Sequence, residues 1–370
     1  MDLIEELNSY NNIAIWGYGR EGKSVESFIK KHLPNKKITI IENNQLSKKF
    51  DLIIKSPGIS LFKLGINFND YNFTSSTELF LKHFGKQTIG ITGTKGKSTT
   101  TKLIHHLIDN SIMVGNIGIP VFDKIDDIGD KWVVFELSSH QLENCRYSPK
   151  IAILTNLFEE HLDFYKDKES YFQAKMNIFQ NCEIKIIEFN DKLEICKNRE
   201  MLEINKNFIH CDTVKIAYKI AKLFKIENFE QKLKTFKTLP HRMEFVTEKN
   251  GIKIYNDSIS TIPESTIVAV ETINPDVVII GGDDRGVNYQ NLIEFLNGLD
   301  VEILAIYESG KKITPSLKNA TYCKSLEDAT LLALQKAKKS ILFSPASASY
   351  NHFRNFEERG NKFKEFIEKC

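Results

Sequence analysis

An α/β protein of three domains, each a largely parallel sheet with helices, is predicted by three observations. Short apolar, β-branched runs alternate with helical patterns along almost the whole chain. Polar clusters follow the ends of those runs, where open α/β sheets place their ligands. A length of 370 residues exceeds one typical core. Motif order sets the boundaries at 1–85, 86–239 and 240–370.

Bulk composition excludes several classes. Hydrophobic residues make up 41% and charged residues 26%, the balance of a globular protein in water. Fifty basic side chains face 48 acidic ones, so no charge excess points to nucleic acid. No apolar run approaches the roughly 20 residues that span a bilayer. The N-terminus lacks the basic start and apolar core of a signal peptide. Six dispersed cysteines without a Cys-x-x-Cys pair suit a reducing compartment. A cytoplasmic protein with small-molecule partners, and no nucleic acid or membrane, is expected.

The first segment opens with the strand Ile13–Trp16, the turn Gly17-Tyr18-Gly19-Arg20-Glu21-Gly22 and a helix to about Lys31. A second strand, Ile38–Ile41, ends at Glu42, twenty residues after the last glycine. Strand, Gly-x-Gly-x-x-Gly turn, helix, strand and acid form the layout of a dinucleotide fold, with a nucleotide diphosphate at the turn. A third strand, Leu52–Lys55, runs into Ser56-Pro57-Gly58-Ile59.

The second segment carries the sharpest signal. The strand Thr88–Thr92 feeds Gly93-Thr94-Lys95-Gly96-Lys97-Ser98-Thr99, and a helix begins near Lys97. Backbone N–H groups and a helix N-terminus around one point favour a phosphate. Lys97 is placed to reach the terminal phosphates, and Ser98 to face a phosphate-bound Mg²⁺. Where the general P-loop pattern opens on glycine, this chain has Ile91. The strand Trp132–Phe135 ends at Glu136, where a Mg²⁺ carboxylate is expected. The strand Ile151–Thr155 leads to Glu160-His161-Leu162-Asp163, and a helix covers roughly Lys168–Gln180. On pattern alone His161 is a structural histidine, Lys175 a solvated helix lysine and Asn116 a turn former.

In the third segment, the strand Ile252–Tyr255 leads to Asn256-Asp257-Ser258. Val277–Ile280 leads to Gly281-Gly282-Asp283-Asp284-Arg285-Gly286, and Ile341–Phe343 to Ser344-Pro345-Ala346. Pro240-His241-Arg242 precedes them, and Asn355-Phe356-Glu357-Glu358-Arg359-Gly360 follows.

The ordered set of these motifs, with Gly115-Asn116-Ile117-Gly118 and Glu136-Leu137-Ser138-Ser139-His140-Gln141-Leu142-Glu143, resembles the Mur ligase family over nearly the whole chain. It is most similar to the branch that joins D-glutamate to UDP-N-acetylmuramoyl-L-alanine. The resemblance implies a Rossmann-like domain for the UDP substrate, a P-loop ATPase domain and a C-terminal Rossmann-like domain for the amino acid. It implies a monomer in peptidoglycan precursor synthesis, with ATP as co-substrate, two Mg²⁺ ions and an acyl-phosphate intermediate. Lys97, Glu136, His161 and a carbamylated Lys175 would be catalytic, and Ser98, Glu136, His161 and Lys175 would hold metal. Residues Gly93 to Thr99, Arg242 and Asp257 would bind ATP, the last two from across a domain cleft. Gly17, Tyr18, Gly19, Arg20, Glu21, Glu42, Ser56, Gly58, Asn116 and Ser138 would bind the UDP substrate. Thr261, Arg285, Ser349 and Phe356 would bind D-glutamate.

The chain departs from the family in three places. Ile259 stands where a lysine follows Asn-Asp-Ser, and Arg285 stands where a lysine is usual. His210-Cys211-Asp212-Thr213-Val214 replaces a His-Asn-x-x-Asn helix start. Another Mur ligase, a folylpolyglutamate synthase and a catalytically silent nucleotide-binding regulator are the alternatives. Retention of Lys97, Glu136, His161 and Lys175 speaks against the silent regulator.

Overall fold

The computed structural model describes residues 2–42, 45–115, 118–157, 164–187, 203–204, 207–208 and 211–369. The chain divides into two compact units, Met1–Asn198 with Cys211–Phe236, and Arg199–His210 with Lys237–Cys370. The first unit holds two parallel sheets, and the 85/86 boundary falls between them.

In the first sheet β1 (Ile13–Trp16) lies between β2 (Ile38–Ile41) and β3 (Leu52–Lys55), with β4 (Phe73–Thr74) outside β3. All four β1 residues are buried, as a strand covered on both faces requires. Ile13 and Ile15 face one cluster, and Ala14 and Trp16 face the other. The helix Arg20–His32 covers this sheet through Val25, Phe28 and Ile29, at the three- and four-residue spacing of one helix face.

The second sheet orders β6 (Ser111–Gly115), β7 (Trp132–Glu136), β5 (Thr88–Thr92), β8 (Ile151–Leu154) and β9 (Ile184–Ile187), all parallel. From β5 the chain builds first to one side and then to the other. A crevice therefore opens beyond the C-terminal end of β5, the switch point of the sheet. The helices Lys97–Leu107 and Cys211–Leu223 cover one face through Ile104, Ile216 and Ile220. The other face shares its core with the first sheet, where Ile13 and Leu52 join Phe80, Val133 and Phe135.

In the second unit, β10 (Glu203–Ile204) and β11 (Asn207–Phe208) form an antiparallel pair. The main sheet orders β12 (Glu244–Lys249), β13 (Ile252–Asn256), β17 (Ser340–Phe343), β14 (Val277–Ile280), β15 (Glu302–Ile306) and β16 (Ala320–Cys323). Only β12 in this sheet runs antiparallel, joined to β13 by Asn250-Gly251 at φ 51° and 77°. Such a pair makes a tight hairpin turn. Because β17 returns between β13 and β14, the loops after these three strands meet at one edge. No described helix is long and apolar enough to cross a membrane.

Two glycines test two different demands. Gly281 has φ 110°, and a Cβ there would stand 2.1 Å from the Ile306 carbonyl oxygen. Gly251 also has positive φ but nothing within 4 Å. Gly251→Ala should therefore cost only the backbone term, about 1–2 kcal/mol. Gly281→Ala should cost several kcal/mol more, because the backbone of β15 must move. Denaturant unfolding of both variants measures the gap, and equal losses would remove the close-approach argument.

Candidate active site

The phosphate loop is built from two strand ends. Gly93 (φ 145°) and Gly96 (φ 79°) adopt backbone angles that side chains disfavour. A Cβ on Gly93 would stand 2.0 Å from Thr155 Oγ1. The segment after β8 fixes the loop. Thr94 N–H donates to the Asn156 carbonyl (3.2 Å) and Lys95 N–H to Asn156 Oδ1 (2.8 Å). Thr155 Oγ1 and Asn156 Nδ2 both donate to the Lys95 carbonyl, at 2.6 and 3.1 Å. Gly96 is the N-cap of the helix Lys97–Leu107 and supplies no side-chain cap. No N-cap side chain competes with an anion at that helix N-terminus.

Two lysines converge on this loop. Lys97 Nζ donates to the Gly93 and Thr94 carbonyls at 3.0 and 2.9 Å. Lys175 Nζ donates to the same Gly93 carbonyl at 2.8 Å, and lies 4.7 Å from the centre of the Tyr171 ring. Lys175 is 2% exposed, in the last turn of the helix Lys168–Met176. It is not the solvated lysine its pattern suggests. Glu136, 1% exposed, ends β7 in register with Ile91 of β5 and Gly115 of β6. Ser98 and Thr99 lie on the first helical turn. Thr213 Oγ1 would stand 3.8 Å from a Cβ on Gly96, so the helix Cys211–Leu223 starts at the phosphate loop. Val214, where the family carries asparagine, is fully buried in the core. His161, Asn116 and His210 lie outside the described residues.

A second site opens in the same unit. A cavity of about 400 Å³ is lined by Gly17, Gly19, Arg20, Glu21, Ser56, Gly58 and Ser138, with Pro57, Ile59, Gly115, Gly118, Pro120 and Gln141 completing it. Seven of the ten residues expected to bind the UDP substrate thus line one cavity. Tyr18 and Glu42 do not. Tyr18 Oη donates to Glu26 (2.5 Å), and Glu42 is exposed beyond β2. Gly19 caps the helix Arg20–His32 without a side-chain bond, a second free helix N-terminus. Gly17 packs so tightly that an added Cβ would stand 2.8 Å from Ser56 Cβ. The Glu21 carboxylate accepts from Ser76 Oγ (2.6 Å) and Gln141 Nε2 (3.0 Å), which makes it a strut between walls. Gln141 also accepts from Ser138 N–H at 2.9 Å and fixes that corner.

In the second unit, Asp257 is 2% exposed and accepts three hydrogen bonds: Met243 N–H (3.0 Å), Ser260 Oγ (2.5 Å) and Ser344 Oγ (2.7 Å). Burial pushes its carboxyl up to about 6 despite these donors. Arg359, fully buried, donates to Ser258 Oγ and to the carbonyls of Ser258, Ser347 and Ala348. Asp283 N–H donates to the Ala348 carbonyl, and Asn351 N–H to Asp283 Oδ2. The loops carrying Thr261, Arg285 and Ser349 are therefore tied into one edge, and the helix opening at Phe356 is tied to it through Ser258 Oγ. Thr261, Arg242 and Phe356 are half-buried, Ser349 is buried, and Arg285 is exposed.

The Mur ligase middle domain matches residues 91–255. The UDP-N-acetylmuramoylalanine–D-glutamate ligase of Aquifex aeolicus is 32% identical over 96% of this chain and 98% of its own length. The chain belongs to the Mur ligase family. The ligase of the same name from Ruminiclostridium cellulolyticum is also 32% identical, over 86% of this chain and 83% of its own. Among solved structures, the fold resembles two Thermotoga maritima Mur ligases. The UDP-N-acetylmuramate–alanine ligase gives a TM-score of 0.59 at 18% identity, covering 97% of this chain and 99% of that one. The MurF ligase in complex with ADP gives 0.60 at 17%, covering 96% and 95%.

Within this Mur ligase, sequence reasoning overlooked the supports: Thr155, Asn156, Gln141 and Arg359. Asn156 had one signal, a polar residue directly after a buried strand. Arg359 had another, lying three residues after Phe356 on one helix face.

Asp257 couples the stability of the second unit to pH. A carboxyl raised from about 3.8 to about 6 binds its proton more tightly when folded. Its contribution to stability is full below pH 3.8 and is lost as pH rises through 6. Between pH 4.5 and 7, Asp257→Asn should gain about 2 kcal/mol on the wild type. Denaturant unfolding at both pH values measures this. A gap that does not change with pH would mean that Asp257 is ionised throughout.

Proposed function

We propose that the chain joins D-glutamate to UDP-N-acetylmuramoyl-L-alanine with ATP, as a cytoplasmic monomer of three functional segments, 1–85, 86–239 and 240–370. The observation that carries this reading is full-length similarity to ligases of that name, combined with two glycine-capped helix N-termini in one unit. One helix heads the phosphate loop and the other heads the cavity, so two phosphate-bearing ligands are accommodated side by side.

The residues suit acyl-phosphate chemistry. The Gly93–Thr99 backbone cradles the ATP phosphates, and Lys97 neutralises the charge that develops on the transferred group. Ser98 and Glu136 offer a hydroxyl and a carboxylate, the hard oxygen donors that Mg²⁺ prefers. Mg²⁺, when bound, supplies further charge neutralisation. Arg20 and the free N–H groups after Gly19 take the diphosphate of the UDP substrate. Its carboxylate attacks the γ-phosphate and expels ADP, and the neutral amine of D-glutamate then displaces phosphate from the acyl phosphate, losing a proton as the amide forms. In the second unit Arg285 pairs with a D-glutamate carboxylate, the load that Ile259 cannot carry. Thr261, Ser349 and Phe356 complete that site.

Phosphate release should require the UDP substrate, ATP, Mg²⁺ and D-glutamate together. Turnover with L-alanine, L-lysine or meso-diaminopimelate and none with D-glutamate would refute the assignment.

Lys175 acts as a carbamate in this reading. Two lysine side chains meet on the single Gly93 carbonyl, Lys175 buried and Lys97 half-buried. Once deprotonated, the Lys175 amine adds CO₂ and releases a proton, leaving an anionic carbamate whose oxygens suit a metal. Lys175→Ala should remain folded, with a lowered melting temperature from the cavity it leaves, and lose at least about 100-fold in kcat, the size of one lost electrostatic group. Formate or acetate should restore part of it. Full activity in the variant, or in CO₂-depleted buffer, would sink the carbamate.

A further inference from the structure

Buried Lys55 and half-buried Glu143 form an ion pair that no catalytic step uses. Lys55 ends β3 and is 4% exposed. Its ammonium donates to the Ile59 carbonyl (2.8 Å) and the Ser56 carbonyl (3.4 Å), inside the turn Ser56-Pro57-Gly58-Ile59. Glu143 caps the C-terminus of the short helix Ser139–Leu142 and faces this ammonium at 3.7 Å. Its Oε2 is buried and takes no hydrogen bond among the described residues, so Lys55 is what balances its charge. Burial pulls Lys55 below the ordinary lysine value and pushes Glu143 above the ordinary glutamate value. Each charge is thus opposed by desolvation and supported by the other.

The placement gives the pair a task. The turn that Lys55 fills from within supplies Ser56, Pro57, Gly58 and Ile59 to the cavity wall. The helix that Glu143 ends supplies the facing corner, Ser138 and Gln141. A hydrogen bond from Ser60 Oγ to the Phe164 carbonyl (2.9 Å) closes the same seam. Apolar packing is non-directional and does not fix where carbonyls point. An ammonium has three donors, and here they set the direction of two carbonyls while the charge anchors the turn to the opposite wall.

We infer that Lys55, backed by Glu143, is a positioning residue that sets the width of the cavity receiving the UDP-bearing substrate. The inference rests on the proposed function of that cavity.

The test uses the full-length protein and separates the two claims. UDP-N-acetylmuramoyl-L-alanine binding is measured by titration calorimetry without ATP, and KM is measured for all three substrates. A wild-type protein that neither binds nor turns over this substrate refutes the functional reading itself. With an active wild type, Lys55→Met should weaken binding of the UDP substrate about tenfold and leave the KM values for ATP and D-glutamate within twofold. A loss spread equally over the three substrates, or no loss, overturns the inference.

Lys55→Met leaves Glu143 as an unbalanced, half-buried charge and lowers the melting temperature. The double variant Lys55→Met/Glu143→Leu removes that charge. It should regain the melting temperature but not the affinity, because the two carbonyls still lack their donor. Affinity recovered together with melting temperature would make the pair merely structural and overturn the inference. Glu143→Gln, which keeps the shape, should weaken the same binding about threefold, and an unchanged constant counts against the inference.

Discussion

One backbone carbonyl, that of Gly93, organises the ATP side of the molecule. It accepts from Lys97 and Lys175, which come from helices on either side of the loop. That carbonyl can point at both lysines only because Gly93 takes a φ of 145°. The loop holds this shape because Thr155 and Asn156 occupy its other side with four hydrogen bonds. With the loop so fixed, the helix behind it starts at Gly96 with its N–H groups free of any side-chain cap. Preorganised donors of this kind cost no reorganisation when charge develops, which is how a phosphoryl-transfer site does most of its work.

The second unit uses buried charge where the first uses glycine. Arg359 is removed from water and joined to three carbonyls and a hydroxyl, so its desolvation is offset by directed hydrogen bonds. Burial lowers it only to about 10, and it stays charged. Asp257 lies in the same edge with three donors of its own, and burial still raises it. Such groups add little net stability but admit few alternative packings. The loops after β13, β14 and β17 differ in length and composition, and apolar contact alone would not lock them together.

Most of the sheet framework was legible because buried parallel strands read as continuous apolar runs. Ile13–Trp16, Leu52–Lys55 and Val277–Ile280 appear where those runs lie, and the glycine turns mark their C-terminal ends. The antiparallel hairpin at Asn250-Gly251 was missed, since β12 is half-exposed and lacks a continuous apolar run. Residues that would touch ligands carried motif signals. Residues that support them did not, because Gln141, Asn156 and Arg359 act through contacts made only in the folded chain. Lys175 shows the limit most clearly. Its place in a polar helix pattern says solvent, yet Tyr171 and the phosphate loop enclose it.

The reaction requires the carboxylate of one substrate to meet the terminal phosphate of another, so the two sites must share a wall. The end of β7 provides it. Glu136 closes that strand beside β5, on the phosphate side. Ser138, two residues further on, lines the cavity, and two residues span at most about 7 Å of chain. Gly115, the register partner of Glu136 in β6, lines the cavity as well. Its φ of 107°, with the Glu136 carbonyl 2.2 Å from where a Cβ would stand, leaves no room for a side chain at the junction. A bulkier residue there would separate the two strand ends and move the Glu136 carboxylate away from the cavity wall. The spacing of donor and acceptor is therefore set by backbone packing within one rigid sheet.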